Sequence, residues 1–102
     1  MIKVWHAPDL SFTEPALYPA EYALVAEVVS DEPDEAFGLT NHIDSDWKTN
    51  RGVTPTAWVP VRSTSVGDVL ELSDGRHLLI IGIGFTEITP NKHVFRKTVT
   101  NF

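Results

Sequence analysis

The segment "VLELSDGRHLLIIGIGF", residues 69–85, constrains the fold more than any other stretch of the chain. Two apolar runs flank Ser73-Asp74-Gly75. An Asp-Gly step in that setting is a strong hairpin signal, because glycine takes the left-handed backbone of the turn without steric cost. "LLIIGI" is apolar at every position except its glycine. A strand with one wet face alternates, so this run predicts a central strand buried on both faces. Gly82 and Gly84 are expected to mark a close backbone approach or a bulge. Just upstream, "VRSTSVGD" predicts a corner at Gly67-Asp68. The hydroxyls of residues 63–65 are suited to satisfying backbone groups there.

Other elements follow from the same rules. "MIKVWH" suits a pleated surface and predicts a strand. Residues 7–20 carry prolines at 8, 15 and 19, which fix φ and remove donors, so an ordered loop is expected. "EYALVAEVVS" predicts a second strand, with Tyr22, Leu24, Ala26 and Val28 on one face. Ala23, Val25 and Val29 make the other face apolar too, with Glu27 as the exception. Pro33, followed by Asp34 and Glu35, fits the first turn of a helix, where proline loses no bond and acids meet the positive end of the dipole. Ala36, Phe37, Thr40 and Ile43 then form one stripe. Gly38 keeps this helix short, ending near Asn41 or His42. "HVFRKTVT" predicts an edge strand whose Arg96 and Lys97 oppose edge-to-edge association. Together these elements predict one α+β domain over residues 1–102: a mainly antiparallel, partly curled sheet of about five strands with one short helix.

Composition narrows the function. The 102 residues contain no cysteine, which excludes disulfides, thiolate zinc sites and cysteine nucleophiles. Fourteen acids against 8 bases give a net charge of −6, a balance that disfavours binding through phosphate neutralisation. No apolar run approaches the length of a membrane span, and "MIKVWHAPDL" lacks a signal-peptide core, so a cytoplasmic location is expected.

Two blocks carry a resemblance. Leu39-Thr40-Asn41 with Trp47 form the first, and Ser63-Thr64-Ser65-Val66-Gly67-Asp68-Val69 with Gly84-Phe85 the second. Across residues 22–85 the chain resembles the YodL-like domains of phages, plasmids and conjugative elements. The resemblance implies a mobile-element setting beside counter-defence functions, and it implies no reaction.

Candidate sites compete with structural roles. His42, Asp44 and Asp46 alternate, so in an extended segment all three face one way, as metal ligands would. No fourth ligand is legible, and such residues near a helix end more often cap or turn, so neither metal nor cofactor is called for. The acids at 31, 32, 34 and 35 fit the helix dipole better than a pair of catalytic carboxylates. "GIGF" lacks the remaining residues of a phosphate-binding loop. Ser63, Ser65, Asp74 and a solvent-facing His77 do not assemble into a triad. The stronger candidates for partner contact are Asn41, Asp44, Asp46, Trp47, Arg62, Ser63 and Ser65, because aromatics and arginine dominate interface energetics. The competing expectation is that Trp47 fills the core, Arg62 pairs with Asp44 or Asp46, and Asn41 caps the helix in the left-handed conformation.

The sequence thus favours a non-enzymatic protein-binding module, an anti-CRISPR or anti-restriction type of inhibitor that uses the acids of residues 31–35, Asp44 and Asp46. A nucleic-acid accessory domain is the first alternative, with Trp47 stacking on a base and Lys48, Arg51 and Arg62 holding phosphate. A small metal-dependent or serine hydrolase built on Ser65 or the His-Asp loop is the second. Monomer and symmetric homodimer both stay open, since the "HVFRKTVTNF" edge could pair between copies.

Overall fold

The hairpin around Asp74-Gly75 forms, and its two strands lie inside a larger sheet. The computed structural model describes residues 1–10, 14–41, 47, 50–56 and 62–96. Its elements are β1 (Ile2–His6), β2 (Ala16–Tyr18), β3 (Ala23–Val28), α1 (Pro33–Thr40), β4 (Val53–Pro55), β5 (Val69–Glu71), β6 (His77–Ile81), β7 (Gly84–Ile88) and β8 (Lys92–Val94). The main sheet has six strands in the order β4-β3-β1-β5-β6-β7, and β2 pairs with β8 in a separate two-stranded sheet. Every pairing among the described residues is antiparallel. The fold is α+β and mainly antiparallel sheet, with more strands than the sequence suggested.

Burial on both faces of the sheet follows from strand alternation. Leu70 and Ile80 enter one buried cluster with Ile2, Val4, Val28, Ala36 and Trp47. Their chain neighbours Val69 and Leu79 enter a second cluster with Tyr18, Tyr22, Ala16 and Val94. The helix and Trp47 therefore cover one face, while the β2–β8 sheet covers the other. This is why Val69-Leu70 of β5 and Leu78–Ile81 of β6 read as unbroken apolar runs.

Five expectations change. "RHLLIIGIGF" is not one strand: the chain turns at Gly82-Ile83 and returns as β7, with Ile81 opposite Gly84. Gly84 sits at φ +135, and a Cβ placed there meets nothing within 4 Å, so the glycine serves backbone conformation and not close approach. Residues 7–20 contain β2 between Pro15 and Pro19, a strand that exists because Ala16 and Tyr18 gain a partner in β8 far along the chain. In β3, Ala26 pairs with Val4 and Leu24 with Trp5, so Val25 is the extra residue of a bulge. The bulge sends both Val25 and Ala26 into the first cluster and breaks the expected simple alternation. Finally, Lys92–Val94 pairs with β2 and not with the edge of the main sheet, and residues 97–100 lie outside the described residues.

The helix starts as expected, with proline in its first turn and Asp34 and Glu35 beside it. Ala36 and Thr40 are buried and Phe37 packs against the same cluster, while Ile43 lies outside the described residues. Asn41 follows at φ −111, so it does not end the helix in the left-handed conformation. Among the described residues no helix is long and apolar enough to cross a membrane.

Candidate functional site

At one end of the sheet the Ser63–Asp68 segment meets the end of β1 and the end of α1. The centre of this junction is Asp68, whose side chain is fully buried. Gly67 at φ +98 turns the chain so that its own amide donates to the Ile80 carbonyl (2.8 Å) and Asp68 points inward. A buried carboxylate is costly unless its lone pairs are filled and its charge is balanced. Oδ1 accepts from the Ala7 amide at 2.8 Å and from Arg62 Nη2 at 2.6 Å. Oδ2 accepts from the Ser65 amide at 2.8 Å and from Arg62 Nη1 at 2.6 Å. The two-pronged guanidinium contact is the strong form of the ion pair. It also raises the Arg62 pKa, chiefly through the Asp68 hydrogen bonds and against the opposing effect of burial.

Arg62 ties more than one carboxylate. Nη2 also donates to the Ala7 carbonyl at 2.9 Å, and Nη1 to the Ser63 carbonyl at 3.0 Å and Ser65 Oγ at 3.3 Å. Beneath it, Trp47 is 2% exposed and its Nε1 donates to the Arg62 carbonyl at 3.1 Å. The Asn41 side-chain amide donates to the Thr64 carbonyl, and the Thr64 amide to the Thr40 carbonyl at 2.9 Å. Tyr22 Oη donates to the Gly67 carbonyl at 2.7 Å, and burial pushes that phenol well above its usual range.

His6 completes the junction. It is 5% exposed, stands 6.1 Å from the Trp47 ring, and its Nε2 lies 2.8 Å from Thr64 Oγ1 and 3.7 Å from Asp68 Oδ2. Nδ1 is buried without a hydrogen-bond partner. The Nε2–H tautomer fits this setting, because it offers a proton toward both oxygens and leaves only a bare acceptor unsatisfied. Burial lowers the His6 pKa to about 4, outweighing the opposite pull of Asp68 and assisted by Arg62.

A threonine, a histidine and an aspartate together invite comparison with a hydrolytic triad. The geometry argues otherwise. Thr64 and Asp68 both face Nε2, whereas a triad needs its nucleophile and its acid on opposite ring nitrogens. Thr64 is also fully buried, so no substrate reaches its hydroxyl. What the cluster does is join three segments distant in sequence.

The sequence-selected residues therefore converge, but mostly in structural roles. Trp47 is withdrawn from any displayed patch because it fills the core under the helix. Arg62 pairs with Asp68, the fully buried charge among the described acids, while the expected partners Asp44 and Asp46 lie outside the described residues. Asn41 and Ser63 are half-buried, and Ser65 is exposed. Asp44 and Asp46, with His42 and Lys48, lie outside the described residues. Among the described residues no cluster of metal-ligating side chains occurs. His77 is half-buried rather than solvent-facing, with Nδ1 2.7 Å from the Tyr18 hydroxyl.

The sequence placed Asp68 at a corner and Thr64 at a strand entry, but neither they nor His6 were among its candidate contact residues. Their one legible signal is an aspartate at the head of an apolar strand, six residues after an arginine. Comparison with protein-family models, with curated proteins and with solved structures found no match, so the YodL-like resemblance stands on its two motifs alone.

Proposed function

We propose that this chain is a cytoplasmic, non-enzymatic protein-binding module that presents an acidic surface to a basic partner. Its setting would be counter-defence by a mobile genetic element, as an inhibitor of the anti-CRISPR or anti-restriction type, a part of the reading that rests on the resemblance. The carrying observation is the placement of the acids. Asp31, Glu32, Asp34 and Glu35 are all exposed at the start of α1, and Asp74 is exposed on the β5–β6 turn. Asp31 accepts from Ser73 Oγ at 3.1 Å, which brings that turn beside the helix start. The N-terminal ammonium, 3.2 Å away, and the Ser73 hydroxyl hold the Asp31 carboxyl below its usual range. Such a surface matches a site that normally receives nucleic acid and would speed encounter with it. Burial of Trp47 leaves the nucleic-acid alternative without its stacking aromatic.

The test is an affinity capture from the native host, treated with nuclease, using the wild type and a Glu32→Lys/Asp34→Lys/Glu35→Lys variant. A stoichiometric protein retained by the wild type and lost by the variant is expected. Equal retention by both would overturn the acidic-surface reading.

A further inference from the structure

The opposite end of the sheet carries a different surface. A groove of about 310 Å³ is lined there by Pro8, Asp9, Leu10, Arg62, Val66 and Arg96 among others. We infer that this groove is a docking site for an aromatic side chain of a protein partner, stacked against the Arg62 guanidinium. The inference does not depend on the acidic surface.

Arg62 has few hydrogen-bond donors left to offer. Its four terminal N–H groups are spent on Asp68, Ala7, Ser63 and Ser65. Its charge is matched by the buried carboxylate beneath it. A phosphate or carboxylate ligand therefore finds no forked donor pair on Arg62. Yet the Arg62 side chain is 46% exposed and lines the groove, so the accessible part is its flat face and stem. A guanidinium held rigid by its edges loses no rotamer entropy when a ring stacks on its face, and stacking needs no free N–H. The carboxylate is bonded along the guanidinium edge, so the electron-rich face of an aromatic ring is still locally complementary to the plane of the cation. Leu10 and Val66 supply apolar walls for the ring, and Val66 is 39% exposed. A nucleobase could stack likewise, but a chain of net charge −6 repels the phosphates that accompany it.

Titration of the ¹⁵N-labelled full chain with N-acetyl-tryptophanamide, followed by NMR, tests this. The expected result is a shift of the Arg62 Nε–H and Val66 amide resonances, with binding about fivefold tighter than for N-acetyl-cyclohexylalaninamide. Val66→Glu should abolish the shifts without lowering the melting temperature, and Val66→Ser should weaken them if the charge disturbs folding. Equal affinity for the two amides, absence of shifts at these resonances, or stronger perturbation by oligothymidylate would overturn the proposal.

Discussion

Replacing Arg62 by methionine keeps the length of the stem and removes the cation. Asp68 then retains the two backbone amides of Ala7 and Ser65 but loses both guanidinium bonds, with its side chain still fully buried. Breaking a buried pair from one side costs about 3–5 kcal/mol, because the remaining charge is left uncompensated. The lower end applies here, since Arg62 is 46% exposed and water reaches part of the pair. Loss of the Arg62 contact to the exposed Ser63 carbonyl adds little, and loss of the part-buried contact to the Ala7 carbonyl adds about 1 kcal/mol at most. The expected loss of about 3 kcal/mol is a large fraction of the roughly 5–15 kcal/mol available to a domain, and lowers the melting temperature by about 12–24 °C. Urea unfolding of Arg62→Met beside Arg51→Met, an exposed arginine, measures it. A double-mutant cycle with Asp68→Asn should be strongly non-additive, since the second change removes the charge that the first leaves stranded. A loss below about 1 kcal/mol, equal to that of Arg51→Met, would refute the claim that Asp68 is a buried anion held by Arg62.

Four further outcomes follow from the same geometry. His6 titrates near 4 when folded against 6.5 for the free side chain, so the unfolded chain binds more protons between those values. Its contribution is intact above pH 6.5 and is lost as pH falls toward 4, costing about 2 kcal/mol at pH 5, and a His6→Leu variant should flatten that part of a urea-midpoint profile against pH. Trp47→Ala should cost about 3–5 kcal/mol in chemical unfolding, through the cavity left under α1 and the unpaired Arg62 carbonyl. Gly38→Ala, exposed on the helix with nothing within 4 Å of the added Cβ, should stabilise by up to about 1 kcal/mol, whereas Gly75→Ala at φ +94 should destabilise by about 1–2 kcal/mol, both read from melting curves.

The local parts of this protein were written in the sequence. The turn at Gly75, the helix beginning at Pro33 and the burial of β6 on both sides each depend on residues within one or two turns of chain, where glycine, proline and periodicity act directly. The tertiary structure alone decided the rest, because the deciding partners are far apart in the chain. β2 is a strand only because β8 lies beside it, and Val25 turns inward only because β1 fixes a bulge opposite it. Arg62 could be assigned to a nearby loop acid from spacing. In the structure it pairs with the aspartate that the packing of β1 and β5 takes out of water, a charge that needs a rigid counter-ion and that no spacing rule marks as buried. The sequence brought Asn41, Trp47, Arg62, Ser63 and Ser65 into view as a group; burial, which no spacing rule reports, made most of them the frame around Asp68 and left Arg62 partly exposed along a groove.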